Sequence, residues 1–150
     1  MVFMKRFLVL AMLAVAAIAT AGVTAAQADT SDRFSKGGWY ENFAPAIDRA
    51  IASGELFRIR GHCQSNCTLF LGVRNVCVER SARLLFHAGH GRGANRNVIN
   101  QGSTQRMLNA YNSKLRQYVF ARGYLNKLEF SAISGARMID EFGYKECPKR

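Results

Sequence analysis

The chain has 150 residues, 49% of them hydrophobic, and a formal net charge of +11. That length allows one domain with a modest hydrophobic core and excludes a large multidomain protein. The sequence contains only two prolines, Pro45 and Pro148, and no linker divides it.

The first 28 residues have the three parts of a secretory signal peptide. Lys5 and Arg6 give a positive start, residues 7–23 form an uncharged apolar run, and an A-x-A cleavage site ends at Ala28. A retained membrane anchor is the alternative, because 17 apolar residues approach the length of a spanning helix. The small residues at the cleavage site favour removal. We therefore expect a single mature domain over residues 29–150, either periplasmic or secreted.

The mature domain remains strongly basic. It has 122 residues and a net charge of +9, because the predicted signal peptide carries two of the basic residues and no acidic ones. In the cytosol this balance would suggest nucleic acid, but an exported protein meets anionic lipid, cell-envelope polymers or acidic proteins. We expect a peptide or an anionic cell-envelope substrate as partner and no nucleic acid. The alternative is that the charge only keeps a small domain soluble.

The four cysteines are Cys63, Cys67, Cys77 and Cys147. An even number in a small exported domain predicts two disulfides, and three pairings are open. We expect one bridge inside the cluster formed by the first three cysteines and one bridge from that cluster to Cys147. Zinc is the alternative, but neither the cysteines nor the histidines have the CxxC or HxxxH spacing of structural zinc sites. We expect no metal and no cofactor.

The hydrophobic pattern predicts helices and strands that alternate along the domain. Such alternation favours an α/β fold with a small sheet flanked by helices. Three glycines in residues 88–97 predict a mobile loop. In chain order, the expected elements are a helix over 39–52, a strand over 55–60, a turn over 61–64, a buried helix over 65–72, strands over 75–79 and 83–87, the loop over 88–97, one long helix over 103–122 and a helix over 135–142.

The most informative local segment joins the strand at 55–60 to the helix at 65–72. Gly61 provides a tight turn after the strand, and Ser65 stands at the head of the helix, where serine is a favoured N-cap. A helix N-terminus also offers free backbone N–H groups and a partial positive charge. A nucleophilic hydroxyl there would have donors ready for a developing oxyanion. Local features therefore leave two roles open for Ser65, helix cap and nucleophile.

An ordered set of motifs runs through the same part of the domain. Each motif is short, and their order and spacing are more informative than any single one. The set consists of Gly37-Gly38, a helix with Ala46-Ile47-Asp48, a strand, Gly61 four residues before Ser65, a strand with Cys77, a basic or small-residue turn and an apolar strand that ends at His87.

In this order the chain resembles a reduced member of the Clp protease/crotonase-like superfamily, over residues 37–88 and more weakly towards the C-terminus. The motifs are similar to the family's GG motif, GxxxS nucleophile turn and base histidine. Small exported proteins of this group from α-proteobacteria share the CxSxC signature and a near-terminal cysteine. The resemblance implies a reduced Clp protease/crotonase-like core. Only residues 29–36 precede the GG motif, so the sheet is either incomplete or completed by a partner chain in a homo-oligomer.

The resemblance also implies roles for individual residues. Ser65 corresponds to the nucleophile and His87 to the general base that takes its proton. The backbone N–H groups of Gly38 and Asn66 correspond to the oxyanion hole.

Other positions are less well defined by the resemblance. The acidic third member of the family's triad falls in a region of weak similarity, where Glu129 and Asp140 are the available carboxylates. His90, in the glycine-rich loop, is a second candidate base. Nothing in the sequence resembles a coenzyme A site, although the superfamily includes proteins that use that cofactor.

Two functions from different classes follow. The first is an exported serine hydrolase, a peptidase that works by acyl transfer from Ser65 with His87 as base. The second is a non-catalytic binding module, stabilised by disulfides, that uses its basic face on an anionic partner. The first requires His87 within hydrogen-bond reach of a solvent-open Ser65. The second predicts a Ser65 hydroxyl that is buried or bonded to the backbone.

Overall fold

The domain is an α/β fold, as the sequence predicts, and the computed structural model describes residues 29–149. The predicted signal peptide, residues 1–28, lies outside the described residues. The α-helices are α1 (Ala44–Ser53), α2 (Gln101–Ala110), α3 (Ser113–Ala121) and α4 (Gly135–Asp140). The strands are β1 (Asp29–Thr30), β2 (Phe57–Ile59), β3 (His62–Gln64), β4 (Val76–Val78), β5 (Arg83–Phe86) and β6 (Ser131–Ser134). Short 3-10 helices cover Asp32–Phe34, Tyr40–Asn42, Ser65–Gly72 and Gly93–Asn95.

The strands form two small sheets. The first has the order β1-β2-β4 and is parallel throughout, and the second has the order β3-β5-β6, with β3 parallel and β6 antiparallel to β5. The chain passes from β2 to β3 through Gly61, whose φ of 57° is a left-handed conformation that glycine adopts without steric cost. Gln64 pairs with Leu85, so β3 and β5 end at the same edge of the second sheet.

The 3-10 helix Ser65–Gly72 lies at the centre of the core. Its residues from Cys67 to Leu71 are all buried. The Phe70 ring stacks on Phe57 of β2 at 4.0 Å between centroids, and it also contacts Phe34 at 4.9 Å. The helix is therefore fixed against the first sheet while its N-terminus continues directly from β3 of the second.

The prediction of one long helix over residues 103–122 is wrong. Two helices, α2 and α3, meet at Tyr111 and Asn112, which have extended ψ angles of 145° and 166°. Tyr111 is buried, and its hydroxyl lies 2.6 Å from Thr68 Oγ1 in the core. The Asn112 side chain caps α3 by accepting a hydrogen bond from Leu115 N. The apolar periodicity continues across the break because both helices face the same core, and the periodicity alone could not show the break.

Three strands were missed by the sequence pattern. β1 has only two residues, and β3 occupies residues that the sequence predicts as a turn. β6 alternates between buried and exposed residues, but serine occupies its first and last positions and weakens the hydrophobic signal. The loop over residues 88–97 includes the 3-10 helix Gly93–Asn95 and closes through a β-bridge between His90 and Ile99.

Two disulfides cross-link the domain and confirm the prediction from the cysteine count. Cys63 bonds to Cys67 and Cys77 bonds to Cys147, with sequence separations of 4 and 70. Disulfides persist in oxidising compartments, so the two bridges indicate an extracytoplasmic environment. None of the helices within residues 29–149 is long and apolar enough to cross a bilayer.

The two bridges should differ in their contribution to stability. Removing the Cys77–Cys147 bridge by Cys77→Ala/Cys147→Ala should lower the free energy of unfolding by about 4 kcal/mol, because that bridge closes the longer loop in the unfolded chain. Cys63→Ala/Cys67→Ala should cost about 2 kcal/mol by the same argument. Equilibrium unfolding of both double variants in urea measures the difference. An equal or larger loss for the Cys63–Cys67 pair would contradict this ordering.

Candidate active site

Ser65 is held in a strained backbone conformation directly after β3. Its φ is 54°, and no other non-glycine residue within residues 29–149 has a positive φ. Such a conformation costs about 1–3 kcal/mol and persists only where the surrounding structure enforces it. Gln64 occupies the N-cap position and no side-chain hydrogen bond caps the helix, so the interpretation of Ser65 as a helix cap is wrong.

The Ser65 side chain is half-buried and lines a cavity. Thr68 Oγ1 donates a hydrogen bond to the Ser65 carbonyl at 2.7 Å, but within residues 29–149 the Ser65 hydroxyl itself has no such partner. The Cys63–Cys67 disulfide spans residues 63–67, which we call the Ser65 turn, and both of its cysteines are fully buried. The ends of the turn are thus anchored in the core while the hydroxyl at its centre remains accessible.

The side chains on either side of Ser65 connect the Ser65 turn to the segment that contains the two glycines of the GG motif. Gln64 Nε2 donates to the carbonyl of Lys36 at 2.7 Å, and Asn66 Nδ2 donates to the carbonyl of Gly38 at 2.7 Å. Two hydrogen bonds, from the residues before and after the serine, therefore fix the distance between the Ser65 turn and residues 36–38.

Residues 36–38, which we call the GG loop, approach the serine too closely for a side chain at Gly37. A Cβ there would lie 2.9 Å from Ser65 Cβ, and Gly37 has a φ of 70°. Space and backbone conformation both require glycine at this position. The N–H of Gly38 donates to no backbone carbonyl within residues 29–149. The N–H of Asn66 lies in the first turn of its helix, where donors lack intrahelical partners.

His87 directly follows β5, with only 5% of its surface exposed. Neither of its ring nitrogens has a hydrogen-bond partner in the described part of the chain. The ring packs edge-on against Phe130, with 4.6 Å between centroids. Burial, and to a lesser extent the nearby His90, lowers the pKa of His87 to about 4. The imidazole is therefore neutral at pH 7, and one ring nitrogen has a lone pair that can accept a proton.

Helix α2 holds the chain immediately after His87. Thr104 is buried, and its hydroxyl accepts a hydrogen bond from Gly89 N at 2.9 Å. A Cβ at Gly89 would clash with Ser103, so α2 packs directly on the backbone there. These contacts fix the chain that leads from His87 into the glycine-rich loop.

Two other histidines have different environments. His90 is half-buried, its Nδ1 lies 2.9 Å from the Gly91 carbonyl, and its ring centroid lies 6.0 Å from that of His87. His62 is exposed, and its Nε2 lies 2.7 Å from Gln64 Oε1. His90 lines the same cavity as Ser65, whereas His62 does not.

Ser65 and His87 line one cavity of about 490 Å³. They meet there because parallel strands bring their carboxyl ends to the same edge of a sheet, with Ser65 after β3 and His87 after β5. Gly38 and Asn66 also line this cavity. The fold thus brings together the four residues that the resemblance assigns to nucleophile, base and oxyanion hole. No hydrogen bond joins Ser65 to His87, since both His87 nitrogens are unpartnered within residues 29–149.

Neither candidate carboxylate lines this cavity. Asp140 instead forms an exposed ion pair with Arg80, with 2.6 Å between Nη2 and Oδ2. Glu129 is exposed at the surface. The described residues thus place no carboxylate on His87, and they contain no cluster of three or more metal-ligating side chains.

The cavity wall carries basic and aromatic side chains that sequence analysis did not single out. The Arg92 guanidinium lies 4.5 Å from the Trp39 ring centroid and donates to Glu41 at 2.6 Å. The Arg106 guanidinium lies 4.1 Å from the centroid of Tyr40. These five side chains come from three segments separated by long stretches of chain, so no local motif could have grouped them. Lys36 also lines the cavity.

Comparison with models of known protein families gives no match to this chain, and comparison with curated proteins gives no significant match either.

Because the pKa of His87 is lowered, the stability of the folded protein should depend on pH. Between pH 6.5 and 4 the unfolded chain binds a proton at His87 that the folded protein does not bind, so the free energy of unfolding should fall by about 3 kcal/mol from this residue. His87→Leu, which is similar in size and does not titrate, should remove that part of the pH dependence. Chemical unfolding of both proteins across this range measures the difference, and identical pH profiles would show that His87 is not buried as a neutral ring.

Proposed function

We propose that this protein is an exported serine hydrolase, active in the periplasm or after secretion, that cleaves peptides by acyl transfer. Ser65 is the nucleophile, His87 is the general base, and the backbone N–H groups of Gly38 and Asn66 stabilise the oxyanion. The resemblance to the Clp protease/crotonase-like superfamily supports these four roles. Under this proposal the protein needs no metal and no cofactor.

One observation carries the proposal: a strained serine and an unpartnered buried histidine line the same cavity. Strained backbone at a non-glycine residue is enriched at active sites, because function can require a conformation that stability disfavours. A buried polar group without a hydrogen-bond partner is also costly. The strained serine and the unpartnered histidine lie at the ends of adjacent strands. A purely structural role for either residue does not explain why both features occur at one cavity.

The chemistry requires only groups that belong to this chain. Ser65 Oγ attacks the carbonyl carbon of the substrate while its proton passes to His87. The negative charge that develops on the carbonyl oxygen is stabilised by the Gly38 and Asn66 N–H groups. The tetrahedral intermediate collapses, the bond to the leaving amine breaks, and His87 gives the proton to that amine. Water then hydrolyses the acyl-serine by the same route.

The serine and histidine are not hydrogen-bonded to each other, but catalytic hydrogen bonds are often long before substrate binds. The half-buried Ser65 hydroxyl, free of hydrogen bonds to the described backbone, fits the hydrolase better than the binding module, which requires that hydroxyl to be buried or bonded.

A non-catalytic binding module is the second candidate, and the environment of His87 favours it. A base with a pKa of about 4 is weak at neutral pH, and no carboxylate in the described chain orients its ring. In that case the basic side chains of the cavity wall bind an anionic partner, and Ser65 has no chemical role.

A fluorophosphonate probe distinguishes the two candidates. The folded, oxidised protein should be labelled at Ser65, because a nucleophilic serine attacks the phosphorus centre. Ser65→Ala and His87→Leu should each abolish labelling. Ser65→Ala should change the free energy of unfolding by no more than about 0.5 kcal/mol, since it removes no hydrogen bond. Peptide mapping by mass spectrometry locates the label.

Ser103→Ala is the matched control. Ser103 lines the same cavity, but it lies in α2 on regular backbone and should not contribute to labelling. Absence of label on the folded, oxidised wild type, or a label that persists in Ser65→Ala, would refute the hydrolase and leave the binding module.

A further inference from the structure

We infer that the cavity selects substrates that carry a carboxylate, and that Arg106 and Lys36 are the groups that recognise it. This inference rests on the proposed function, because it names the substrate class of the same cavity. Three features of the cavity wall support it: its charges, its stacked arginine and its exposed aromatic rings.

The charges on the wall are unbalanced. Three basic side chains, Lys36, Arg92 and Arg106, line the cavity with one acidic side chain, Glu41. Arg92 is paired with Glu41, with 2.6 Å between Nη2 and Oε2. Within residues 29–149, Lys36 and Arg106 have no carboxylate within ion-pair distance. Two positive charges in the cavity wall are therefore available to a ligand.

Stacking prepares Arg106 for such a ligand. Its guanidinium lies 4.1 Å from the centroid of the Tyr40 ring, which holds one face of the guanidinium plane. Within residues 29–149 the N–H groups at the edge of that plane pair with no carboxylate, so they can form paired hydrogen bonds to the carboxylate of a ligand. Arg92 nearby both stacks on Trp39 and donates to Glu41, so this wall already contains one stacked arginine with a bound carboxylate.

Aromatic side chains favour an apolar group beside the carboxylate. Trp39 and Phe130 both line the cavity, with 40% and 46% of their surfaces exposed. Exposed apolar surface that is grouped at a cavity is characteristic of a binding site. A peptide with an acidic group and a neighbouring apolar side chain satisfies both parts of the wall. The carboxylate can belong to an aspartate or glutamate side chain or to a peptide C-terminus.

Binding can be measured separately from catalysis with the Ser65→Ala protein. Trp39 is the only tryptophan of the chain and lines the cavity, so its fluorescence reports occupancy directly. Three peptides of one apolar sequence serve as probes. The first has an internal glutamate and an amidated C-terminus, the second has glutamine in place of the glutamate, and the third has that glutamine with a free C-terminal carboxylate.

We expect the glutamate peptide or the free-carboxylate peptide to bind at least about tenfold more tightly than the neutral one, because a hydrogen bond to a charged group is stronger than one to a neutral group. The peptide that binds more tightly identifies the source of the carboxylate. Arg106→Gln should reduce the ratio of carboxylate-peptide to neutral-peptide affinity by roughly tenfold or more and leave binding of the neutral peptide unchanged. Arg74→Gln, an exposed arginine outside the cavity, is the matched control and should change neither.

The outcomes separate this inference from the proposed function. Equal binding of all three peptides, or a preference that survives Arg106→Gln, overturns carboxylate selection even if Ser65 is labelled by the fluorophosphonate. A carboxylate preference that depends on Arg106, in a protein that the probe does not label, supports the recognition site and refutes the hydrolase.

Discussion

The geometry of this site depends on the fixation of the Ser65 turn from two sides. The buried Cys63–Cys67 bridge joins its ends within the core, and the amide side chains of Gln64 and Asn66 hold the GG loop against it. A serine with a φ of 54° would relax without such constraints, because the left-handed conformation is unfavourable for any residue with a Cβ. The same constraints leave the hydroxyl open to the cavity and bring the GG loop to a distance that only glycine permits.

The pairing of β3 with β5 determines which residue shares the cavity with Ser65. His87 follows β5 at the same sheet edge, and Phe130 covers its ring. Burial keeps the imidazole neutral, so it can accept a proton, but within residues 29–149 no carboxylate stabilises the imidazolium that would form. A substrate carboxylate in the cavity would add negative charge and favour the protonated ring. The ligand that Arg106 and Lys36 recognise would then also promote proton acceptance by His87.

The sequence predicted the parts of this structure that short-range patterns determine. The α/β alternation, the helix at Ser65–Gly72 and the disulfides follow from hydrophobic spacing and from cysteine count. The break at Tyr111 and Asn112 was missed because the apolar periodicity continues across it, although asparagine, as at Asn112, is a favoured N-cap residue. The resemblance named Ser65, His87, Gly38 and Asn66, and all four line the cavity. Asp140 was a candidate for the third member of the triad, but its carboxylate pairs with Arg80 away from the cavity. The stacked arginines of the wall leave no local signal, because each ring and its cation are far apart in the chain.

The central claim is that Ser65 forms a covalent acyl intermediate, and trapping that intermediate tests it most directly. The oxidised protein, mixed with an excess of an activated acetyl ester and quenched in acid, should gain the mass of one acetyl group. Fragmentation should place that group on Ser65, between the two cysteines of the Cys63–Cys67 bridge. The Ser65→Ala protein should gain nothing under the same conditions. An acetyl group found only on lysines or on the N-terminus, in equal amount in both proteins, would contradict the account.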